Sequence, residues 1–570
     1  MNYFSTRQDR LLSDAVARHD AGDLQSAESL YRDVLKLNPA CASARHRLGV
    51  IAYQMGKVKA ALKLIDSAVV LEPENPIFHM SLGALLRQQG RLAEAESYCQ
   101  KAVDLDSGNV DAANNLANVL SDLKRTEEAI TELRRALELA PGHPMASLNL
   151  ASILRGQGDL LGAEKALDEI AVSVKEAPEY QYERAQQRLE ADEPEQAESA
   201  FNRALDSAPG TPAYLNGLGL ARREQGDVAG ALTLYEAAIQ ADPGYVEARW
   251  NRAVAQLLRG NFKAGLADWD WRRLQNAFSE RVFPQPLWTG KRPRRGKLLI
   301  HAEQGVGDEI LFAGLLPLLL AGTSNLVVEC DARLVGLYRR SWPGLEIVAK
   351  AEPIDPACLP PEISARAGIA DLVKLLPPEG PEGRVPDGYL KPDPDRVSAF
   401  GERLKSLGPG PFIGISWKSG ACKTGGRKST PLAAWKKILT IPGAVFVNLQ
   451  YGETDKEITL AAETFGAPIF TDPELDRFND LDGLASLMSA LDAVVTTSNV
   501  TANLAGAIGA PTYMLIDRAP FWYWGDSGPT VPFFPSIRAY RQGVDRDWSR
   551  AIRELAAELS ASLSKEARTG

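Results

Sequence analysis

Residues 297–315 read KLLIHAEQGVGDEILFAGL, which has the pattern of a strand, a glycine turn and a helix. The apolar run 298–302 predicts a buried strand, and the apolar segment 310–320 predicts a helix. Residues 305–308 lie between them as the turn. This order is the first step of a doubly wound α/β domain, in which ligands bind at the carboxyl ends of the strands.

The turn contains two glycines and an aspartate that suit a ligand site. Gly305 and Gly307 can adopt positive φ angles and leave room for a ligand close to the backbone. Asp308 is predicted to stand at the amino terminus of the helix, facing the cleft. A carboxylate there can cap the helix and complement its dipole, or it can act in catalysis. The turn alone leaves both roles open.

The composition predicts a folded protein of about three domains. Its 570 residues are 45% hydrophobic and 24% charged, and the net charge of −9 argues against a general binder of nucleic acid or anionic membranes. The five cysteines form no CxxC pair, so we expect no disulfide framework and no zinc site. The amino terminus lacks the apolar core of a signal peptide, and the most apolar run, 310–322, is too short to span a bilayer. We therefore expect a cytoplasmic protein.

Small residues recur every 34 positions in the first half of the chain, and a 34-residue step is that of the tetratricopeptide repeat (TPR), a pair of antiparallel helices. One series comprises Ala15, Gly49, Gly83, Ala117, Ala151, Ala185, Gly219 and Ala253. A second comprises Ala27, Ala61, Ala95, Ala129, Ala163, Ala197, Ala231 and Gly265. The small residues let the helices approach closely, and larger residues such as Tyr31, Phe201 and Tyr235 are expected to fill the spaces that remain between them. The pattern predicts an all-α TPR superhelix of about eight repeats, which usually binds proteins or peptides.

Three asparagines occupy one repeat position on the inner face of the array: Asn115, Asn149 and Asn251. An asparagine side chain can donate to and accept from a peptide backbone. These residues resemble part of the asparagine ladder in the TPR superhelix of O-GlcNAc transferases, which predicts an acceptor-binding face. Alternatively, they are solvated asparagines of a groove.

The second half alternates apolar strands with helical patterns, which predicts parallel sheets. Two such sheets with a cleft between them predict the α/β GT-B arrangement of glycosyltransferases, with two Rossmann-like lobes. The tryptophans at the end of the repeats, Trp269 and Trp271, are expected to seal the array against the next domain or to pack in its last helix. The predicted domains are the TPR superhelix 1–275, a linker 276–295, an acceptor-side lobe 296–393, a donor-side lobe 394–545 and a carboxyl-terminal helix 546–570.

Two segments that follow predicted strands suit a phosphate-bearing ligand. Residues 416–420, SWKSG, are followed by further glycines and cations; such a loop holds phosphate or is simply flexible and solvated. The candidates here are Trp417, Lys418, Arg427 and Lys428. In the other segment, residues 496–509, a predicted strand is followed by a predicted helix. The amino terminus of that helix either binds phosphate or is merely capped by a hydroxyl side chain. The candidates there are Ser498, Asn499, Thr501 and Asn503.

Three further features are compatible with a nucleotide sugar. Gln450, at the end of a strand, suits the edge of a nucleobase. The carboxylates of Asp480 and Asp482 suit a ribose or cap the helix that follows. The aromatic loop 521–526 lines a sugar site or packs between the lobes. Only His301 lies beyond the repeats, so no His-based triad or metal cluster is available there, and we expect neither a metal nor a cofactor.

The segments AEQGVGDEILFA, GISWKSG, TANLAGAIGAPTYMLI and WYWGDSGPTVPFFPSIRAYRQ together resemble bacterial proteins that fuse TPR repeats to a heptosyltransferase-like GT-B module. Among such fusions the chain is similar to the flagellin glycosyltransferases of Caulobacter-type bacteria. The resemblance implies that the TPR part recruits flagellin. It also implies that the GT-B part transfers a nonulosonic acid, pseudaminic acid, from its CMP donor to serine or threonine, with inversion and without metal.

By this resemblance Asp308 is the catalytic base. Gly305 and Gly307 then adjoin the donor, its phosphate is held by Lys418, Arg427 and Lys428, and the phosphate-facing helix carries Ser498, Asn499, Thr501 and Asn503. One departure is Asn503, where many relatives have histidine. Two alternatives stay open: a UDP- or ADP-sugar enzyme that acts on another acceptor, and a TPR scaffold or chaperone whose GT-B domain is inactive.

Overall fold

The computed structural model of the chain describes residues 3–170, 174–275, 278, 281–291, 296–322, 325–376, 385–420 and 425–569. The chain forms two compact units, Met1–Glu193 and Pro194–Gly570, and each is described by itself. Much of the predicted linker, residues 276–277, 279–280 and 292–295, lies outside the described residues. The predicted domain limits stay predictions.

The first unit consists of successive helices, two for each repeat. They are α1 (Tyr3–Asp20), α2 (Leu24–Leu37), α3 (Ala42–Gln54), α4 (Val58–Leu71), α5 (Pro76–Gln88), α6 (Leu92–Leu105), α7 (Val110–Asp122), α8 (Thr126–Leu139), α9 (Pro144–Gln157), α10 (Leu160–Asp168) and α11 (Pro178–Glu190). The small residues allow close packing as predicted. A Cβ atom on Gly49 would lie only 2.6 Å from Ile65, and one on Gly83 only 2.5 Å from the sulfur of Cys99.

The turns inside the repeats also keep the 34-residue step, including two that lack glycine. Gly22, Gly56, Gly90, Gly158, Gly226 and Gly260 have positive φ angles, and so do Lys124 (65°) and Asp192 (61°), which occupy the same repeat position. A left-handed conformation costs about 1 kcal/mol or more in a residue other than glycine. The repeat packing therefore imposes the turn even where the sequence does not favour it.

Side chains 35 residues apart join the first helices of successive repeats. In the first unit His46 contacts Ser81 at 2.8 Å and Asn149 donates to Asn114 at 2.8 Å. In the second unit Asn251 donates to Asn216 at 2.9 Å. The predicted set of asparagines is thus corrected at one position: Asn149 and Asn251 each donate an amide N–H to an asparagine of the preceding repeat, and the acceptor for Asn149 is Asn114, not Asn115. Binding of an acceptor by this face stays a prediction.

The second unit begins with helices and continues into two sheets. Its helices are α12 (Pro194–Ser207), α13 (Pro212–Glu224), α14 (Val228–Ala241), α15 (Val246–Leu258), α16 (Phe262–Ala267), α17 (Val306–Ala313), α18 (Leu316–Leu320), α19 (Val335–Ser341), α20 (Leu372–Leu375), α21 (Pro394–Lys405), α22 (Gly425–Lys428), α23 (Lys436–Leu439), α24 (Asp455–Phe465), α25 (Leu481–Ser489), α26 (Val500–Ala507) and α27 (Ser549–Thr569). Its strands are β1 (Lys297–His301), β2 (Leu326–Cys330), β3 (Glu346–Ala349), β4 (Ile363–Gly368), β5 (Phe412–Ser416), β6 (Val445–Asn448), β7 (Ile469–Phe470), β8 (Ala493–Thr497), β9 (Thr512–Ile516) and β10 (Ile537–Arg541).

Both sheets are parallel between neighbouring strands, as predicted. The first has the order β3-β2-β1-β4, and the second has the order β10-β9-β8-β5-β6-β7. The strand order therefore reverses between β1 and β4 in one sheet and between β5 and β8 in the other. Crevices at such reversal points are where open α/β sheets bind their ligands. The strands β4, β7 and β10 were not predicted from the sequence.

Two predictions around the glycine turn are wrong. The helix expected over 310–320 is two helices, α17 and α18, because Pro317 lies in the first turn of α18, where its missing N–H costs little. Gly305 has an extended conformation as the residue before α17 (φ −79°), and Gly307 is helical, so neither glycine uses a positive φ angle.

Trp269 packs the end of the repeats onto the α/β part of the second unit, as expected. Its ring contacts that of Trp522 edge to face, with the centroids 5.8 Å apart, and also meets Trp250. Trp271 differs, since its ring lies beneath the guanidinium of Arg249 at 4.7 Å. Only the first tryptophan therefore has the predicted sealing role.

Candidate functional site

A cavity of about 400 Å³ lies at the carboxyl ends of the strands, within the usual size range of small-molecule sites. It is lined by Val306, Gly307, Asp308, Arg333, Ser419, Gly420, Lys428, Tyr451, Arg477, Phe478, Leu481, Leu484, Ser498, Asn499, Val500, Thr501, Asn503, Phe521, Tyr523 and Trp524. These residues follow β1 and β2 in one sheet and β5, β6, β7, β8 and β9 in the other. The reversal point between β5 and β8 thus opens into the cavity.

Helix α26 presents its amino terminus to the cavity. Asn499 caps the helix by accepting a hydrogen bond from the N–H of Ala502 (3.2 Å), and its amide donates to the Ser416 hydroxyl (2.8 Å) and the Lys418 carbonyl (3.0 Å). The cap is therefore the amide of Asn499, and the expected capping by a hydroxyl is wrong. The N–H groups of Val500 and Thr501 are in the first turn and have no carbonyl within the helix, so they remain for an anion.

Two buried oxygens on this helix lack partners among the described residues. The Thr501 hydroxyl and the Asn503 carbonyl oxygen are each buried, line the cavity and make no hydrogen bond there. An unpaired buried polar atom costs about 1–3 kcal/mol. A ligand with hydroxyl or amide donors would satisfy both. Binding by Ser498, Asn499, Thr501 and Asn503 stays a prediction, but all four side chains line the cavity.

Asn503 links helix α26, which follows β8 of the second sheet, to helix α17, which follows β1 of the first. Its amide donates to the carbonyl of Gly307 on α17 at 3.0 Å. A Cβ atom on Gly307 would lie 2.8 Å from that amide nitrogen. Gly307 is therefore needed for close approach rather than for a special backbone angle, and asparagine at position 503 has a defined structural task.

We expect Gly307→Ala to destabilise the protein by about 1–3 kcal/mol, the usual cost of overpacking, because the new methyl group displaces Asn503. Gly305→Ala is the matched control, since a Cβ atom there meets nothing within 4 Å. Denaturant unfolding of both variants measures the difference. Equal stability of the two would show that the contact between Gly307 and Asn503 does not matter.

Asp308 occupies the third position of α17 and lines the cavity. Burial raises its pKa from the usual 3.8 to about 6, although the nearby positive charge of Lys428 lowers it. Behind this turn Glu303 accepts hydrogen bonds from Arg272 (2.8 Å), which also donates to Asp371 (2.5 Å). This buried network fixes the loop after β1. A carboxylate with a pKa near neutrality at a rigid cavity wall suits a general base.

Lys428 is a cation of the cavity wall. Its side chain is buried, and its ammonium lies 3.4 Å from the centroid of the Phe521 ring. Burial lowers its pKa, and the carboxylates of Asp517 and Asp308 act against that effect. A partly desolvated ammonium beside an aromatic face is a strong site for an anionic group.

Two of the other predicted residues have structural roles instead. Trp417 is fully buried in the core, and its indole N–H points to Glu457 at 3.3 Å. The side chain of Gln450 is also buried, and its carbonyl oxygen accepts from the Ser416 hydroxyl (3.0 Å) and from the N–H groups of Trp417 (2.9 Å) and Lys418 (2.8 Å). Gln450 therefore shapes the loop after β5 and is not available to a nucleobase.

Two predicted cations are likewise engaged outside the cavity wall. The ammonium of Lys418 pairs with Glu457, and the guanidinium of Arg427 pairs with Glu224 at the end of α13. Neither residue lines the cavity. Of the three cations proposed for phosphate, Lys428 is the one that does.

The aromatic loop both lines the cavity and packs in the core, while its contact with a sugar stays a prediction. Phe521, Tyr523 and Trp524 line the cavity, while Trp522 is buried against Trp269. The indole N–H of Trp524 donates to the hydroxyl of Ser498 at 2.8 Å, which fixes the loop against the amino terminus of α26. The carboxylates considered for ribose lie elsewhere: Asp480 caps α25, and Asp482 pairs with Arg340.

Sequence reasoning missed one end of the cavity, formed by Arg333, Tyr451, Arg477 and Phe478. Tyr451 lies in the loop after β6, and position after a strand was a usable signal. Arg477 and Phe478 follow β7, which has only two residues, Ile469–Phe470. A strand that short gives no periodic pattern, so the loop after it was not recognised.

Among the described residues, none of the helices combines the length and the apolar character that crossing a bilayer would require.

Comparison with known proteins found matches to the repeats and a relative that aligns with most of the chain. The tetratricopeptide-repeat model matches residues 15–76, 47–110, 114–180, 182–246 and 223–270, and a second model of that repeat matches 86–138. Protein FlbA of Caulobacter vibrioides is 30% identical over 410 residues, which cover 62% of this chain and 68% of FlbA.

Two solved structures are similar to part of the chain. PilF of Pseudomonas aeruginosa is 19% identical with a TM-score of 0.33, over 37% of this chain and 97% of that chain. A tetratricopeptide repeat protein from Parabacteroides merdae is 16% identical with a TM-score of 0.38, over 44% of this chain and 98% of that chain.

Proposed function

The chain belongs to the family of Caulobacter FlbA, and from this premise we propose that it is a protein O-glycosyltransferase of the GT-B type. The observation that carries the proposal is the cavity at the strand reversal points, where Asp308, Lys428 and the amino terminus of α26 line one space. A carboxylate base, a cation and free backbone N–H groups are what transfer from a nucleotide sugar needs without metal.

The order of the strands suggests how the donor lies. Neighbouring strands are about 4.8 Å apart, so the cavity runs from the end of β6, with Tyr451, past β5 and β8 to the end of β9, with Phe521. We propose that the base stacks near Tyr451 and Phe478. The phosphate then meets α26 and Lys428, and the sugar lies beside Tyr523 and Asp308.

In the proposed reaction Asp308 takes the proton of a serine or threonine hydroxyl of the acceptor. The hydroxyl oxygen forms a bond to the anomeric carbon while the bond from that carbon to the phosphate oxygen breaks. The electron pair leaves with the nucleotide, whose charge is held by Lys428 and by the N–H groups at the start of α26. Attack opposite to the leaving group inverts the anomeric centre.

We further propose that the acceptor is flagellin, engaged by the repeats, and that the donor is a CMP-nonulosonate such as that of pseudaminic acid. The resemblance of the motifs to flagellin glycosyltransferases supports this, and TPR repeats commonly bind proteins. On this proposal the enzyme works in the cytoplasm. UDP- or ADP-sugars and an inactive domain are the alternatives that the following titration separates.

We expect the protein to bind CMP in a calorimetric titration more tightly than UDP, GDP or ADP. Lys428→Met should weaken that binding about ten- to a hundredfold, the worth of a charge-assisted hydrogen bond. Lys418→Met is the matched control and should change it less than twofold, because Lys418 pairs with Glu457 outside the cavity wall. Absence of binding by all four nucleotides would contradict a donor site.

A further inference from the structure

Arg477 is a cavity residue whose guanidinium is held at one nitrogen. Its Nε donates to the main-chain carbonyl of Gln450 at 2.9 Å, which fixes it at the end of β6. Its two terminal nitrogens make no hydrogen bond and no ion pair with any residue in the described part of the chain. The nearby carboxylate of Asp476 is occupied by the N–H groups of Phe478 (2.9 Å) and Asn479 (3.0 Å).

Arg333, the other arginine at this end, already makes a hydrogen bond from each of its three guanidinium nitrogens. Its Nε and one terminal nitrogen donate to Asp331, each at 2.8 Å, and the remaining nitrogen donates to the carbonyl of Phe478 at 3.1 Å. Its guanidinium also lies over the Phe478 ring at 5.2 Å. Arg333 is therefore part of a fixed wall, and Arg477 is the arginine with donors to offer.

The position of Arg477 suits a base rather than a phosphate. The carbonyl that anchors it belongs to Gln450, in the loop just after β6. Because β6 is two strands from β8, this end of the cavity is about 10 Å from the amino terminus of α26. Two aromatic faces are beside it: the rings of Tyr451 and Phe478 have centroids 5.9 Å apart. The Tyr451 hydroxyl accepts from the N–H of Gly420 at 2.6 Å, so this ring is fixed.

We propose that Arg477 reads the nucleobase of the donor and selects cytosine, a step that rests on the proposed function. Two parallel N–H groups of a guanidinium match two adjacent acceptors, which cytosine offers at O2 and N3. Uracil presents an N–H at N3, which would face the donors of Arg477. Adenine flanks its N1 acceptor with an amino group. Guanine offers adjacent acceptors at O6 and N7 and is the competitor that the test must separate.

The test is the affinity of the whole protein for CMP, UMP, GMP and AMP in three variants. Arg477→Met removes the charge and the paired donors, and Arg477→Lys keeps the charge but loses the planar fork. Both should weaken CMP binding about ten- to a hundredfold, the range for loss of a good bidentate pair. UMP binding should change less than threefold, which also shows that the variants are folded. Arg403→Met is the control, since that exposed arginine pairs with Glu474 and Asp472 outside the cavity wall.

The outcomes separate the inference from the function on which it rests. If the unaltered protein binds none of the four nucleotides, the proposed donor site fails. If it binds CMP but both Arg477 variants keep the ratio of CMP to UMP affinity, Arg477 does not read the base and the inference is overturned. A preference for GMP that disappears in the Arg477 variants would overturn cytosine as the base.

Discussion

Replacing Asp308 with asparagine is expected to lower kcat about 10²–10⁴-fold, the usual contribution of a general base. Asparagine keeps the size and polarity of the side chain at the cavity wall but cannot accept the proton of the attacking hydroxyl. Donor affinity should change little, because Lys428 and α26 hold the phosphate in the proposed arrangement. A transfer assay with purified acceptor and donor measures the loss, and Asp526→Asn, in the exposed part of the aromatic loop, is the control.

The same variant should be more stable than the parent protein, which separates lost catalysis from lost folding. Because burial raises the pKa of Asp308 from 3.8 to about 6, ionising this group costs free energy in the folded state. Its contribution to stability therefore falls as the pH rises from about 4 through 6 and is constant above that. The Asp308→Asn variant lacks this cost of ionisation, so at pH 8 its free energy of unfolding should exceed that of the parent by up to about 3 kcal/mol. The difference in stability should vanish below pH 4.

The pH dependence of transfer by the parent protein tests the proposed role of Asp308 as a base. Only the ionised carboxylate accepts a proton, so kcat/KM should fall about tenfold per pH unit below an apparent pKa near 6. The residual activity of Asp308→Asn should lack this acidic limb. Retention of the limb, or transfer at the parent rate, would exclude Asp308 as the base.

The strands β3, β8 and β9, which the sequence could predict, each contain an uninterrupted run of three or four apolar residues: IVA in β3, AVV in β8 and YMLI in β9. β4 reads ISARAG and β10 reads IRAYR, and their arginines interrupt the apolar pattern. In β4 the charge is accommodated because Arg366 is a buried residue placed over the Phe283 ring at 5.4 Å. Such a compensation depends on a distant aromatic side chain and is invisible in the local sequence.

For the cavity, too, some lining residues could be predicted from the sequence and others could not. Position after a strand identified Asp308, Lys428 and the start of α26, because main-chain geometry alone brings strand ends to one edge. It did not distinguish Lys428 from its neighbours, since which side chain turns inward depends on where the partners Glu224 and Glu457 lie. For the same reason the predicted residue Gln450 does not face the cavity, whereas Arg477, which was not predicted, does. The glutamine side chain shapes a loop, and its main-chain carbonyl holds the arginine at the cavity.

Replacing Trp522 with alanine is expected to destabilise the second unit by about 3–5 kcal/mol, the cost of removing a large buried aromatic side chain. Its ring is buried among others from three parts of this unit: Trp269 at 5.8 Å, Phe262 at 6.4 Å, Phe312 at 6.2 Å and Phe533 at 5.7 Å. One side chain thus packs the end of the repeats, the helix that carries Asp308 and the aromatic loop of the cavity.

Phe521→Ala is the matched control for this prediction, because Phe521 is 40% exposed and belongs to the same loop. It should cost less than about 1.5 kcal/mol, chiefly through its contact with Lys428. Denaturant unfolding measures both variants. Because Trp522 adjoins Tyr523 and Trp524 in the cavity wall, its loss should also weaken CMP binding, whereas equal stability of the two variants would show that the repeats and the cavity loop do not share one core.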